Sequence, residues 1–377
     1  MISYWEKDIF AQADFIVIGA GIIGLSTAIS LRMRHKKAKV LVLERGTFPT
    51  GASTRNAGFA CFGSLTELAA NIKEWGEDTT YTMVEKRKKG LEFLRNRLGS
   101  DEACGYEQFG GYELITEQQM PHLEALHNMN TMLTPLFGES PFIDHSAYKQ
   151  RFGFGDTVAA LLYCPYEGQI HSGKTMSSLA LYAKQMGVEI LYGVNVQSLC
   201  SDDKGVDLEV HIAPLHSHSS LRANYVAVCT NAMIPQLLPG TSIVPGRGQV
   251  LITSPIEGLL FRGVFHYDEG YYYFRNVGNR ILLGGGRNID FAAEQTYDFS
   301  VTDTIQYALE ALLRKVILPD CEYRIEQRWS GTMGFSDTKL PIVRFANQRI
   351  AIGFGCNGMG VALGSIIGEE TANLFDQ

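Results

Sequence analysis

Hydrophobic and polar positions divide this chain into three kinds of stretch. Near the start, residues 15–18 form a short apolar run rich in β-branched side chains, which reads as a buried strand. An amphipathic run from 22 to about 34 reads as a helix, and a second apolar run, 39–43, as another strand. Ser64-x-x-Glu67 is a capping box that opens a helical region to about residue 98, interrupted near Gly76. The spacing predicts a strand over 106–116, a helix over 117–133, irregular chain over 134–166 where Pro135, Pro141 and Pro165 fall, and a helix over 174–186 stopped by Gly187. Strands at 194–200 and 206–212 bracket a polar loop, and an apolar strand follows at 225–230. From 243 to 286 the character changes. Runs at 250–253, 263–266, 271–275 and 281–283 are separated by short turns, the pattern of an antiparallel sheet. A helix over 302–316 puts Ile305, Ala308, Leu309, Leu312, Leu313 and Val316 on one face. A strand at 323–329, a loop at 330–341, a strand at 349–354 and a helix to about 375 complete the chain. The first 14 residues, with Tyr4 and Trp5, are expected to pack as an arm.

Strand–helix–strand units at both ends and antiparallel strands in the middle predict an α/β protein, α+β overall. One domain is Rossmann-like and the second is built on an antiparallel sheet, and both are discontinuous in sequence. At 377 residues the chain is long enough for two cores. The expected division is 1–85, 145–235 and 325–377 for the first domain and 86–144 and 236–324 for the second.

A net charge of −7 argues against a nucleic-acid partner held by a general basic field. The one dense basic cluster, 86–89, reads as a solvated helix face. Seven cysteines without regular spacing read as reduced thiols, so a cytoplasmic setting is expected. The apolar run 15–31 lacks a basic leader and is broken by glycines, so no membrane span is expected. His216 and His218 read as a polar hairpin loop without nearby carboxylate or cysteine ligands, and no metal is expected.

Candidate chemistry concentrates where the first strand meets the first helix. Gly19, Ala20, Gly21, Ile22, Ile23 and Gly24 form G-x-G-x-x-G between strand and helix, and the second strand delivers Glu44 and Arg45. This is the dinucleotide fingerprint in context: the helix N-terminus offers N–H groups to a pyrophosphate, and the acid accepts from a ribose. The fingerprint alone leaves NAD and FAD open.

Four segments together resemble the D-amino-acid oxidase/sarcosine oxidase/glycine oxidase superfamily of FAD-dependent amine oxidoreductases. They are GAGIIG with Glu44-Arg45, the 51–58 loop GASTRNAG, the 329–343 segment WSGTMGFSDTKLPIV, and GFGCNGMG at 353–360 before the last helix. The opening SYW and the RNAG loop are most similar to γ-glutamylputrescine-oxidase-like enzymes. The resemblance implies non-covalent FAD. It implies that Ser53, Thr54 and Arg55 face the pyrophosphate or ribityl chain, and Asn56, Ala57, Gly58 and Gly331 the flavin side. Gly355, Asn357, Gly358, Met359 and Gly360 would lie along the flavin edge, where a helix N-terminus stabilises negative charge. Val196 falls where the family closes over the adenine, although a plain strand valine reads the same way. Gly364 and Gly368, farther along the helix, are expected to serve close packing.

The implied reaction is oxidation of a substrate C–N bond to an imine by hydride transfer to flavin N5. The partners are a small-molecule amine and an electron acceptor, oxygen or a carrier; the protein is a monomer or homodimer. A flavin domain serving RNA modification or interaction is the alternative. The sequence departs from the family at one place: the carboxylate-holding arginine four residues after the tryptophan is Met333 here. Arg247, Arg275 and Arg287 are open as displaced anchors. Tyr271, Tyr273, Arg275, Gln249 and Met333 are the candidate substrate contacts, and no catalytic base is assigned.

Overall fold

The computed structural model describes residues 3–376 and contains the mixed α/β architecture expected from the sequence. Two eight-stranded sheets carry it. The first runs in the order Ile342–Phe345, Ile350–Phe354, Ser217–Val228, Gln12–Ile18, Val40–Glu44, Glu189–Tyr192, with Val206–Ile212 and Val194–Ser201 joined antiparallel beyond Ser217–Val228. Its four central pairings, from Ile350–Phe354 across to Glu189–Tyr192, are parallel. Such strands are covered on both faces, which explains why Val40–Glu44 is buried at every position.

One face of this sheet carries four helices: Ile22–Arg34, Glu77–Leu98, Ser172–Gln185 and Gly360–Asn373. Three of them approach so closely that glycine is required. A Cβ on Gly364 would lie 2.4 Å from Ile22 and one on Gly90 would lie 2.0 Å from the Ala362 carbonyl, while one on Gly24 would lie 1.9 Å from the Gly19 carbonyl oxygen of the turn that opens its own helix. Gly368 meets Ser26 in the same way, so the packing role expected of Gly364 and Gly368 is what the helices show.

The second sheet runs Ile325–Ser336, Ile243–Thr253, Arg280–Gly285, Tyr272–Val277, Val264–Tyr267, Gly111–Thr116, Val158–Cys164, Ile143–Asp144. All its pairs are antiparallel except Val264–Tyr267 with Gly111–Thr116. Its far face packs Phe265, Phe274, Leu251 and Leu283 under the helix Asp303–Leu312, with Ile305 and Leu309 pointing inward. Its near face looks toward the first sheet.

Several sequence expectations are corrected. Residues 330–336 continue a strand: Ile325–Ser336 pairs along Ile243–Thr253 from Ile325↔Thr253 to Ser336↔Ile243, and such a long partner overrides the loop-like composition. That strand and Val158–Cys164 hydrogen-bond in the second sheet, although 145–235 and 325–377 were expected with the first. The stretch 134–166 carries regular elements, including Ile143–Asp144, Ser146–Phe152 and Val158–Cys164, with Pro135 in a helix, Pro141 in a bend and Pro165 in the turn after the last of these strands. Residues 117–125 form a 3₁₀ turn before the helix Leu126–Phe137. His218 lies in a strand opposite His211, not in a loop. Tyr4 and Trp5 start a short helix and are 73% exposed, so the N-terminal arm does not bury them. Within the basic cluster Lys86, Lys88 and Lys89 pair with Glu370, Glu92 and Glu85, but Arg87 is buried on Glu67. No helix among the described residues is long and apolar enough to cross a membrane.

Candidate functional site

Between the sheets lies one long cavity of about 800 Å³. Its floor begins at the first strand's C-terminal end. Gly19, at φ 101°, turns the chain so that the helix Ile22–Arg34 starts facing the cavity. Gly21 has no side chain to cap that helix, and Ser53 Oγ does so from the next loop, accepting from the Ile22 N–H at 3.0 Å. Glu44 closes this end. It is buried, and it accepts from Ala20 N–H at 3.0 Å and Gly46 N–H at 2.9 Å. Two carboxylate oxygens offer about four acceptor positions, so capacity remains for a ligand. Val196, from the strand Val194–Ser201, lines the same end, and Arg45 is exposed beside it.

The loop after Glu44 is held by its own side chains. Arg55 donates from Nε to the Thr50 carbonyl at 2.9 Å and from Nη1 to the Ser330 carbonyl at 2.7 Å, and it lies over the Phe299 ring. Trp329 returns an indole N–H bond to the Arg55 carbonyl at 3.0 Å. Asn56 donates to the Ala52 and Ser53 carbonyls and accepts from Gly58 N–H and Ser172 Oγ. Arg55 and Asn56 thus staple the 51–58 loop while also lining the cavity. Thr54 spends its hydroxyl on the Pro49 carbonyl at 2.7 Å.

At the opposite end of the floor, Asn357, Gly358, Met359 and Gly360 line the cavity where the helix Gly360–Asn373 begins, and that helix has no side-chain cap. Asn357 sits at φ 41°, and its Nδ2 is buried without a partner. Gly358, at φ 97°, has open space where a side chain would project.

The roof is the near face of the second sheet. A cross-strand row runs over it through register pairs: Trp329, Val250, Gly284, Tyr273, His266, Glu113. Gly284 has no side chain because the Tyr273 ring covers it, 2.6 Å from where a Cβ would stand. Burial pushes the Tyr273 phenol up to about 12, so it stays a neutral donor. Tyr271, Met333, Gly331 and Arg287 also face the cavity.

Sequence reasoning missed His266. It lies 3.4 Å from the Glu167 carboxylate with the Cys61 thiol close by, all three buried, and their ligand-type atoms fall within 4.8 Å of one another. Burial works against the imidazolium, but the Cys61 and Glu167 contacts hold His266 well above its ordinary value. Burial pushes the Cys61 thiol up. Nothing in the local sequence signals this cluster, because its members come from three separate segments.

Six expected residues do not face the cavity. Ala20 and Gly24 lie behind the first turn, Thr54 is turned into its loop, and Gly355, at φ 145°, packs against Pro341. Gln249 is buried on Glu294, Thr302 and Gln306. Arg275 stands behind the wall against Gly58; its Nε lacks a partner, and burial lowers it to about 10. Arg247, one of the three candidate anchors, is likewise spent on Glu294 and does not face it, and the remaining expected residues do line the cavity.

The fold and this cavity define a flavoprotein oxidoreductase. The chain belongs to the DAO family, FAD dependent oxidoreductase, which it matches over residues 14–374, and its cofactor is FAD. It is 24% identical over 386 residues to the probable oxidoreductase OrdL of Haemophilus influenzae, covering 96% of this chain and 82% of that protein. It is also 24% identical to the bifunctional protein ThiO/ThiG of Trichormus variabilis over 93% of its own length, but spans about half (51%) of that relative. The crystal structure of glycine oxidase from Geobacillus kaustophilus superposes with a TM-score of 0.77 at 20% identity, covering 97% of this chain and 95% of that one. At that identity the match speaks for the fold. The residues present suit FAD: the glycine turn before Ile22–Arg34 and the uncapped start of Gly360–Asn373 open on one cavity, and Gly358 and the unpartnered Asn357 amide provide a cradle with a donor.

Proposed function

We propose that this oxidoreductase oxidises the C–N bond of an amine or amino-acid-like substrate to an imine. Glu44 and Val196 would hold the adenosine end of FAD, the N–H groups at Gly21–Ile22 with Ser53 the pyrophosphate, and Ala57, Gly58 and Gly331 the flavin flank. The N–H groups at Gly358–Gly360 would meet the flavin edge that becomes negative on reduction. Bound FAD supplies a two-electron acceptor. The protein's own contribution is placement and dryness: the chamber positions a neutral amine's C–H and keeps water away.

The observation that carries this reading is the chamber under the second sheet. It joins the cofactor end of the cavity to a wall of Tyr271, Tyr273 and Met333. Tyr273, neutral and half-buried, orients a substrate lone pair or carbonyl by donation and is not a base. With Met333 on that wall, a simple α-amino acid has no arginine at the position the superfamily uses. FAD is held without a covalent bond, since Trp329, Ser330 and Gly331 occupy the segment where related enzymes attach it through cysteine.

Anaerobic mixing of the oxidised protein with a panel of amines, amino acids and 2-hydroxy acids tests the reaction. Bleaching of the flavin by at least one amine is expected; bleaching by hydroxy acids alone would overturn the reading. Peroxide formation with the active amine then separates an oxidase from a dehydrogenase that uses a carrier. Acid precipitation tests the attachment: a yellow supernatant is expected, and a yellow pellet contradicts it.

A further inference from the structure

We propose that Arg287 is the anion-binding residue of the substrate chamber and that the amine oxidised here carries a carboxylate which this guanidinium receives. The inference rests on the amine reading above and adds the group that sets specificity. Arg287 lies just after the strand Arg280–Gly285, half-buried at the chamber wall. Its guanidinium carbon sits 4.0 Å from the Phe335 ring centre and 4.8 Å from that of Phe291. Gly246 makes room for this stack: a Cβ there would stand 2.4 Å from the Phe335 ring and 3.0 Å from Arg287 Nη1.

Among the described residues Arg287 forms no ion pair and no side-chain hydrogen bond, and burial lowers its pKa. A guanidinium has five donors and no acceptor, so one half-buried without a partner keeps donors free for an anion in the chamber. The carboxylate in its electrostatic neighbourhood, Glu294, is already committed. Its oxygens lie 2.8 Å from Arg247 Nε and Nη2 and 3.0 Å from Gln249 Nε2. Arg247 is therefore a structural ion pair, and Arg275 lies behind the wall, which leaves Arg287 of the three arginines to serve the chamber. Its other polar neighbours, Tyr271 and Tyr273, are hydroxyls. A planar fork flanked by two aromatic rings and open on one side suits a carboxylate on an otherwise apolar substrate segment. Met333 and Phe335 are two residues apart on one strand. The anion site has thus moved from the position of Met333 to the far side of Phe335.

The test uses the FAD-loaded protein and two probes, propionate and propionamide, titrated while the visible flavin spectrum is followed. Propionate is expected to perturb the spectrum at concentrations where propionamide does not. Arg287→Met is expected to weaken propionate binding by about 30-fold, the loss of one bidentate charged contact. Arg287→Lys, which keeps the charge but not the fork and guards against a folding defect, should fall between. Equal propionate affinity in the wild type and Arg287→Met, or equal response to both probes in the wild type, would overturn the proposal. Paired amines with and without a carboxylate supply a second readout: Arg287→Met should erase the preference for the charged one. If no amine bleaches the flavin but propionate binding still depends on Arg287, the amine reading falls and the anion site stands. If amines bleach it while propionate ignores Arg287, the anion site falls alone.

Discussion

The two ends of the cavity are built from different materials. The end proposed for the cofactor is mostly backbone: helix N-termini at Gly21 and Met359, a glycine at φ 101°, and one acid, Glu44. The end proposed for the substrate is side chains on a sheet face: Tyr273, His266, Met333 and Arg287, brought together from four different segments. Backbone donors suit a ligand that never changes, because their geometry follows from the turn itself. Side chains on a rigid sheet can be exchanged one at a time without refolding, so specificity resides there.

The largest effect is expected away from both ends. Glu294→Ala takes from the buried Arg247 its bidentate carboxylate, leaving Ser300, the Ala293 carbonyl and Asp298 at 3.9 Å, and should cost about 3 kcal/mol of stability, read as a drop in denaturation midpoint. A loss below about 1 kcal/mol would mean that Arg247 is free to serve the chamber, and the contrast with Arg287 would collapse. Next, Gly24→Ala drives a methyl into the Gly19 carbonyl and should cost about 1–3 kcal/mol, together with FAD loss on gel filtration. Full FAD retention would show that the first turn does not set the cofactor end.

Glu44→Ala sharpens the comparison directly. It removes the acceptor for Ala20 and Gly46 and should weaken FAD retention by about 10-fold, an effect near 1.4 kcal/mol, with no change in substrate preference. A shifted preference with FAD still bound would break the division of labour.

The smallest effect concerns His266, and its sign follows from linkage. Its folded pKa is raised, so its pairing with Glu167 contributes fully below about pH 6.5, the unfolded value, and is lost as pH rises through the folded one. His266→Asn keeps a donor near Glu167, so the loss should be about 1 kcal/mol in acid and should vanish in alkali. Thermal melts of both proteins across pH check this; a difference that grows with pH would reverse the assignment.

Much of the architecture was legible in the chain. Local pattern carried it: apolar runs for the parallel strands, the N-cap at Ser64 (although Glu67 turns to Arg87 and does not close the box), and glycines at helix ends. The strand over 330–336 was not, because its partner is about ninety positions away and its own composition is that of a loop. The same distance hid His266, Cys61 and Glu167 from one another.

By itself the sequence determined the first turn, the acid after the second strand, and two glycine-rich helix starts, because each depends on φ freedom and spacing within a few residues. Only the tertiary structure decided which side chains face the chamber. Gln249 and Arg275 read as site residues in the sequence, yet one is spent on Glu294 and the other lies behind Gly58. Arg287 reads like either of them, and what separates it is that Arg247 has already taken the one buried carboxylate in reach.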